Sequence, residues 1–296
     1  MKQTILITGA STGIGNLTAR ALATAGHTVY ATMRDVTKKN SENAKSLKDF
    51  AAQNNFRINV VDLDVQSQES SDTAVEHIIS EAGRIDVVVH NAGHLVVGYA
   101  EAFTAEDLQH LFDINVFGMQ RVNRSVLPHM RERHSGTLIY VGSTSTVDLP
   151  PFLAPYVSSK SAFDALAATT AYEVGRFGIE STIVQPGPFT SGTQHFPNAT
   201  QASDKKVTVA YSNLDELVAR NEDATSNLFD KGVDANPVAV ADEIVRILSL
   251  PKGQKPARSV IDFSHGGVET VNAALFDAQS SFLTRLGFSD LLEVSS

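Results

Sequence analysis

Short apolar strands alternate with helical segments along most of this chain, and this alternation constrains the fold more than any other feature. An apolar strand at 2–8 leads into a glycine turn at 9–15, and apolar residues then recur at helical spacing until Gly26. The same order repeats to residue 263. Because a helix that joins two strands in this way makes them parallel, the pattern predicts an α/β protein. We expect a doubly wound parallel sheet of about seven strands with helices on both faces.

The expected elements follow from apolar periodicity and from the residues that end each run. Strands are expected at 2–8, 28–33, 58–63, 85–90, 137–141, 179–185 and 259–263. Helices are expected over 14–25, 41–53, 75–82, 104–134, 156–177, 238–250 and 268–286, with a kink at Pro128 in the longest. No repeat, linker or low-complexity segment divides the chain, so we predict one domain over residues 1–296.

Composition and charge exclude several classes of protein. The chain has 296 residues, of which 42% are hydrophobic and 19% charged, as in ordinary globular proteins. A net charge of −9 without any basic cluster argues against nucleic acid and membrane surfaces as partners. The absence of cysteine excludes disulfides and thiol catalysis. The chain enters a strand without an apolar leader, and no apolar stretch reaches the ~18 residues of a membrane helix, so we expect a cytoplasmic protein.

The first turn of the chain has the composition of a dinucleotide-binding site. Glycines let the backbone approach a pyrophosphate, and the N-terminus of the following helix supplies N–H donors and a partial positive charge. The spacing is G-x-x-x-G-x-G, which differs from the commonest dinucleotide fingerprint, and the alternative is a turn that binds nothing. We predict cofactor contacts from Gly9, Ser11, Thr12, Gly13, Ile14 and Gly15.

The end of the second strand bears on the choice between the two nicotinamide cofactors. A carboxylate there would bind the adenosine ribose diol and repel a 2′-phosphate. This chain has Met33 followed by Arg34, whose guanidinium can clamp a phosphate, and Ser11 can add a hydroxyl. We therefore predict NADP(H). NAD(H) is the alternative if Arg34 is a surface residue neutralised by Asp35.

Tyr156 and Lys160 lie four positions apart at the start of a predicted helix. Residues at this spacing share one helix face, about 6 Å apart along the axis. An ammonium so close to a phenol favours the phenolate, so we expect Lys160 to lower the pKa of Tyr156 toward neutrality. Such a tyrosine can exchange a proton with an alcohol oxygen, and Ser143 can hold the same oxygen. A half-buried tyrosine beside a solvated lysine is the alternative.

Several short motifs, in this order, resemble those of the short-chain dehydrogenase/reductase family over residues 2–190, and more loosely to 263. The matching segments are 8–15, Asp62-Leu63-Asp64-Val65, His90-Asn91-Ala92-Gly93, Asn115, Ser143, Tyr156-x-x-x-Lys160 and Pro186-Gly187-Pro188. The resemblance implies a single-domain member with a Rossmann-type fold. One departure is His90, where the family usually has Asn, and we expect it only to cap the exit of the fourth strand.

The resemblance also implies a role for each matching residue. Tyr156 is the general acid in reduction and the base in oxidation, and Ser143 stabilises the developing alkoxide. Lys160 binds the nicotinamide ribose, and Asn115 holds a water that links Lys160 to solvent. The other implied cofactor contacts are Asp64 and Val65 at the adenine, Asn91, Ala92 and Gly93 at the adenosine ribose and the cofactor floor, and Pro186, Gly187 and Thr190 at the nicotinamide. Ser145 is an alternative hydroxyl, but it lacks the family spacing to Tyr156.

Residues 188–236 occupy the position of the family's substrate lid, and 265–296 form a helical extension. Apolar residues such as Phe189, Tyr211 and Leu214 in the lid face a second apolar set at 95–99 and 149–153. Such walls suit a small apolar ketone or secondary alcohol. The chain also resembles the hydroxysteroid and retinol dehydrogenase branch, and a homodimer or homotetramer is implied.

The leading prediction is therefore an NADP(H)-dependent ketoreductase, and two other functions stay open. A sugar-nucleotide epimerase of the extended branch also uses Tyr-x-x-x-Lys, but it normally needs a larger C-terminal domain and a differently spaced glycine turn. A non-catalytic dinucleotide-sensing protein tends to lose the Tyr or the Lys, and here both are present. No metal site is expected, because the nine histidines show no ligand spacing on one helix face.

Overall fold

A parallel sheet forms the centre of the structure, a computed structural model that describes residues 2–295 apart from the side chains of 221–223. The strands in this part of the chain are β1 Thr4–Ile7, β2 Thr28–Met33, β3 Arg57–Asp62, β4 Val87–His90, β5 Val96–Val97, β6 Gly136–Val141, β7 Ile179–Pro186, β8 Thr200–Gln201 and β9 Arg258–Ile261. Seven of them form one sheet in the order β3-β2-β1-β4-β6-β7-β9, and every neighbouring pair is parallel. The predicted doubly wound sheet of about seven strands is confirmed. The predicted domain limits at residues 1 and 296 lie outside the described residues.

Helices cover both faces of this sheet. Those in the described residues are α1 Gly13–Thr24, α2 Ser41–Asn54, α3 Gln68–Ala82, α4 Ala105–Phe112, α5 Gly118–Glu132, α6 Ser145–Asp148, α7 Ala154–Gly175, α8 Lys205–Ala210, α9 Asp215–Ala219, α10 Asn221–Ser226, α11 Val238–Ser249 and α12 Val268–Leu286. Helices α1, α2 and α11 share one apolar core with the sheet, and α3, α5 and α7 share the other. The first two connecting helices therefore lie on one face, the next three lie on the other, and α11 returns to the first.

The central strands are apolar throughout because both of their faces are covered. In β4, Val87, Val88 and Val89 are consecutive and fully buried. Side chains alternate across a strand, so Val87 and Val89 enter the core with α1, and Val88 enters the core with α5. β-branched side chains also suit the pleated backbone. A continuous valine run therefore predicts a strand at the middle of a parallel sheet.

The helix expected over 104–134 is interrupted in its middle. Thr104 begins α4 with a capping box, in which its hydroxyl accepts from the Asp107 N–H and the Asp107 carboxylate accepts from the Thr104 N–H. One π-helical turn, Asp113–Phe117, then separates α4 from α5, which contains Pro128. Turns of this kind occur often at functional sites, and this one carries Asn115.

The segment 188–236, expected to be irregular, contains short elements that attach it to the body. Strand β8 pairs in parallel with β5, with Thr200 opposite Val96. Tyr211 and Leu214 pack against an apolar cluster that includes Tyr99 and Leu153. Helices α8 to α10 complete this part of the chain.

Helix α12 has the bounds that the sequence predicts. It ends at Gly287, whose φ of 86° is the left-handed conformation that terminates many helices. Within residues 2–295, none of the helices combines the length and the apolar character needed to cross a bilayer.

His90 is a core residue at the end of β4, and the expectation that it caps the strand exit is wrong. Its ring is 2% exposed and stacks on Tyr140 with centroids 4.8 Å apart. Neither ring nitrogen has a hydrogen-bond partner among the described residues. Burial disfavours the imidazolium and lowers the pKa of His90 to about 3, and the nearby Asn123 side chain offsets only part of this.

The buried imidazole of His90 should make the fold sensitive to acid. An unfolded histidine has a pKa of 6.5, so between pH 6.5 and about pH 3 the unfolded chain binds a proton that the folded chain does not. Stability from this group is complete above pH 6.5 and falls as the pH decreases, by about 2 kcal/mol at pH 5. Urea unfolding at pH 8 and pH 5 should show that His90→Phe, which keeps the ring stack, removes most of this loss.

The matched control is His77→Phe on α3, an exposed histidine whose pair with Glu81, 3.6 Å away, contributes little in water. That substitution should leave the difference between the two pH values unchanged. An acid sensitivity of His90→Phe equal to that of the wild type would contradict the assignment.

Candidate active site

The glycine turn between β1 and α1 packs against the chain that leaves β4. Gly9 and Gly13 have φ values of 67° and 54°, which favour glycine. A Cβ on Gly9 would lie 2.8 Å from the Ala92 Cα, and one on Gly15 would lie 2.4 Å from the Asn91 Nδ2. Residues with side chains therefore do not fit at these positions, and the turn keeps its backbone close to the neighbouring strand.

The N-terminus of α1 is open to an anion. Thr12 makes no side-chain cap, and no acidic residue lies in the first turn. The side chains of that turn therefore neither accept hydrogen bonds from the first N–H groups of the helix nor neutralise its partial positive charge. Ser11 is partly buried and Ile14 packs against the core below. This arrangement meets the requirement for binding a pyrophosphate.

Asn91 fixes the turn, a role that the sequence did not reveal. Its backbone N–H donates to the Thr8 hydroxyl, and its Nδ2 donates to the carbonyl oxygens of Thr8 and Gly9, all at 3.0 Å. The Ala92 N–H also donates to the Thr8 hydroxyl at 3.0 Å. These four bonds join the carboxyl ends of β1 and β4.

Arg34 is exposed immediately beyond the end of β2. It takes no part in the ion pairs formed within residues 2–295, although Asp35 follows it. Met33 is 2% exposed and belongs to the core. A carboxylate at position 33 would therefore be buried, so the residue that can face a ribose or its phosphate is Arg34.

Asp64 and Val65 follow the end of β3. The Asp64 Oδ1 accepts from the Gln66 N–H at 3.0 Å, which orients the carboxylate within a tight turn. Val65 lies under the start of α5, where a Cβ on Gly118 would come within 2.9 Å of it. The structure thus places both residues beyond the carboxyl end of the sheet, on the side of the glycine turn where β2 and β3 lie.

Tyr156 and Lys160 occupy the first turns of α7 and are 7% and 6% exposed. The Lys160 Nζ donates to the Val141 carbonyl oxygen at 3.0 Å and lies 5.9 Å from the centre of the Tyr156 ring. The Ser143 side chain lies close enough to the Tyr156 hydroxyl to influence its pKa. By contrast, the Ser145 hydroxyl is buried without a partner among the described residues. The structure therefore brings Ser143, Tyr156 and Lys160 together.

The pKa of Tyr156 moves opposite to the expected direction. Burial raises it to about 12, and the nearby Ser143 side chain opposes this only in part. Burial also lowers the pKa of Lys160 to about 8. The expectation that Lys160 brings the tyrosine toward neutrality is wrong for the protein alone, because desolvation of the phenolate dominates and the ammonium points at Val141. At neutral pH Tyr156 holds its proton and Lys160 is mostly charged.

The side chain of Asn115 joins the π turn to the chain that follows β4. Its Oδ1 accepts from the His94 N–H at 2.7 Å, and its Nδ2 donates to the His94 carbonyl oxygen at 3.0 Å and to the Ser159 hydroxyl at 2.9 Å. A Cβ on Gly93 would lie 3.5 Å from the Asn115 Oδ1 and 3.8 Å from the Lys160 Nζ. Glycine therefore keeps space between these two groups, and the predicted water between them stays a prediction.

Pro186, Gly187 and Thr190 begin the segment over the site. The Pro186 carbonyl oxygen accepts from the Thr144 N–H at 3.0 Å, and the Gly187 N–H donates to the Ile261 carbonyl oxygen at 2.9 Å. These bonds fix the exit of β7. Thr190 is exposed, and it is Thr193 that approaches the glycine turn, 3.9 Å from a Cβ placed on Gly13.

Two histidines line the site although no sequence pattern indicated them. The His195 Nε2 lies 3.4 Å from the Tyr156 hydroxyl, and the two rings meet edge to face with centroids 5.6 Å apart. The His94 ring hydrogen-bonds to the Thr200 hydroxyl in β8. No set of three or more His, Asp or Glu side chains in the described part of the chain is arranged to hold a metal ion.

The predicted apolar walls are formed in part. Leu95, Tyr99 and Leu153 are buried in the cluster that contains Tyr156. Leu149 is instead 63% exposed. Phe189 packs against Phe263 in the core beside α11, so its expected place in the lid is wrong. Tyr211 and Leu214 supply the lid side of the cluster, as predicted.

Comparison with known proteins identifies relatives of the whole arrangement. The family model for short chain dehydrogenases matches residues 3–202. The chain is 36% identical to a 3-ketodihydrosphingosine reductase of Bacteroides thetaiotaomicron over 75% of its own length and 71% of the relative. It is 34% identical to retinol dehydrogenase 8 of Bos taurus over 63% of its length, and that match spans 59% of the relative, less than two thirds.

Solved structures agree with this result. A short-chain dehydrogenase from Streptomyces avermitilis is 27% identical and superposes with a TM-score of 0.72 over 97% of this chain and 98% of that one. An alcohol dehydrogenase from Thermococcus sibiricus, complexed with 5-hydroxy-NADP, shares the fold at 21% identity and a TM-score of 0.70, covering 89% and 97% of the two chains. The resemblance found in the sequence and the prediction of an oxidoreductase are confirmed. The chain belongs to the short-chain dehydrogenase family.

Proposed function

We propose that the protein is an NADP(H)-dependent oxidoreductase that interconverts an apolar ketone and a secondary alcohol, with Tyr156 as general acid and base. One observation carries this proposal. The Tyr156 hydroxyl is buried, lies near the Ser143 side chain and stands one helical turn before the buried Lys160. Such a group can deliver a proton to an oxygen atom that is shielded from water.

The residues present fit a nicotinamide dinucleotide. The glycine turn holds its backbone close to the chain that leaves β4, and the open N-terminus of α1 suits a pyrophosphate. Asp64 would serve the adenine, Arg34 the 2′-phosphate, and Lys160 the nicotinamide ribose. The NADP-type ligand of the Thermococcus sibiricus structure supports the choice of NADP(H). When bound, this cofactor supplies or accepts the hydride.

The protein's own groups control the proton. Because burial raises the pKa of Tyr156 to about 12, its Oη is protonated at neutral pH and can donate to a carbonyl oxygen that gains negative charge. The Ser143 hydroxyl can donate to the same oxygen. The Lys160 ammonium, held by the Val141 carbonyl, favours the phenolate that remains. These protonation states support reduction of a ketone at neutral pH.

The walls around Tyr156 support an apolar substrate. Buried leucine and tyrosine side chains lie in the same cluster as the catalytic ring, with the lid packed over them. The names of the two curated relatives refer to a keto compound and to retinol. Both names support a ketone or an alcohol on an apolar skeleton. The homodimer or homotetramer and the cytoplasmic location stay predictions.

Tyr156→Phe should abolish turnover and leave the binding of NADPH nearly intact. The ring and its packing remain, and only the proton is lost, so turnover should fall by about a hundred- to ten-thousandfold. Initial rates with acetophenone and cyclohexanone follow from the absorbance of NADPH, and calorimetry gives its dissociation constant.

Tyr172→Phe, on the same helix α7, is the matched control and should behave as the wild type. A Tyr156→Phe enzyme with turnover within about tenfold of the wild type would rule out the proton role.

Arg34→Ala should weaken NADPH binding by about ten- to hundredfold, since a charge-assisted contact to a phosphate is lost. The affinity for NADH should hardly change, because NADH has no 2′-phosphate. Calorimetry with both reduced cofactors measures this.

The control Arg57→Ala removes an exposed arginine at the opposite end of the sheet and should alter neither affinity. Equal losses of affinity for NADPH and NADH in Arg34→Ala, or no loss of affinity at all, would show that Arg34 does not bind the 2′-phosphate.

A further inference from the structure

His195 lies in the part of the lid that covers the site, between the end of β7 and β8. Its Nε2 is 3.4 Å from the Tyr156 hydroxyl, at the long end of hydrogen-bonding range, and its ring meets the tyrosine ring edge to face. The ring is partly buried. It is therefore a polar side chain from the lid that reaches the atom assigned to proton transfer.

The imidazole is neutral under ordinary conditions. Burial lowers the pKa of His195 to about 4, with smaller contributions from the charges of Lys160 and His94, the titratable groups that face it together with Tyr156. A neutral imidazole has one N–H and one lone pair, so it can pair with a hydroxyl either as donor or as acceptor. It can thus form with the Tyr156 hydroxyl the hydrogen bond that an oxygen atom of a ligand would form.

The space at the Tyr156 hydroxyl is limited. A phenol has one proton and accepts on its oxygen, and the Ser143 side chain already lies close to it. A ketone that is to receive the proton must bring its oxygen to the same hydroxyl, close to Ser143. The His195 ring lies against that hydroxyl, so the ring and the ketone oxygen cannot both occupy the position next to it.

The lid holds His195 in place from both ends. The Gly187 N–H donates to the Ile261 carbonyl oxygen, and the Thr200 N–H donates to the Leu95 carbonyl oxygen at 3.1 Å. Between these bonds, Thr193 lies next to Gly13 of the glycine turn. Moving His195 away therefore requires a change within residues 188–199, while the two ends stay attached.

We propose that His195 is a specificity-determining residue that occupies the place of the substrate oxygen at Tyr156 and has to be displaced when a ketone binds. This inference rests on the proposed function. A substrate forms a hydrogen bond with Tyr156 and breaks the one between Tyr156 and His195, so these two contributions nearly cancel. The net binding energy then has to come from contacts of its apolar part with the cluster around Tyr99 and Leu153. Small ketones without such a part are then rejected, and the lid opens only for substrates that fill the cluster.

The first test needs no turnover. Hydrogen–deuterium exchange of the full chain without ligand should show faster exchange across residues 188–199 in Tyr156→Phe, which keeps the ring but lacks the hydroxyl. We expect the exchange rate to increase by about three- to fivefold, which corresponds to the loss of one modest hydrogen bond. Gln194→Ala, an exposed neighbour of His195, is the control and should not change exchange at residues 196–199. Unchanged exchange in Tyr156→Phe would overturn the proposal.

The second test separates displacement from substrate binding. His195→Ala should lower KM for acetophenone by about three- to fivefold with kcat nearly unchanged, because the competing side chain is gone. Gln194→Ala should change neither constant. A raised or unchanged KM in His195→Ala would overturn the proposal, since the ring would then aid binding or play no part. A wild-type protein that turns over no ketone would contradict the proposed function, and the exchange experiment would still decide whether Tyr156 holds His195.

Discussion

Every group in the site depends on β1 and β4 lying side by side in the sheet. The chain builds β2 and β3 on one side of β1 and then returns to place β4, β6, β7 and β9 on the other. At this change of direction the helices leave on opposite faces, and a crevice forms at the carboxyl ends of the strands. The bonds from Asn91 to Thr8 and Gly9 close the base of that crevice. The glycine turn and Arg34 lie at this edge because β1 and β2 end there, and Tyr156 lies there because α7 begins beside the end of β6.

Burial of polar groups at this edge connects the fold to the chemistry. Removing Lys160 and Tyr156 from water disfavours the ammonium and the phenolate, so both protonation equilibria shift toward the neutral forms. Nearby polar partners limit the energetic cost, since Lys160 donates to the Val141 carbonyl oxygen and Tyr156 lies beside the Ser143 side chain. The proton is therefore held on a group in reach of a substrate and away from bulk water. The π turn at Asn115 serves the same site by fixing the chain beside Lys160.

The sequence predicted the elements with strong local signals and missed those set by distant contacts. Apolar runs ended by glycine or proline gave the strands, and β2 and α12 have the expected bounds. The turn at Asn115 has no local signal that distinguishes it from an α-helix, because the hydrogen bonds of Asn115 reach His94, which is distant in the sequence. His195 was missed since its contact with Tyr156 depends on how the lid folds back. The direction of the Tyr156 pKa was wrong because a spacing of four residues shows proximity to Lys160 but not burial.

The central claim is hydride transfer to a ketone with proton delivery by Tyr156, and isotope transfer tests it most directly. The protein is incubated with acetophenone and NADPH that carries deuterium at the transferable position of the nicotinamide, and the alcohol product is analysed by mass spectrometry and NMR. The account predicts one deuterium on the carbinol carbon per NADPH consumed, and no product from Tyr156→Phe. A dinucleotide sensor would bind NADPH without product, and an epimerase, whose reaction has no net redox change, would leave the label on the cofactor. Failure to transfer deuterium to either acetophenone or cyclohexanone would contradict the claim.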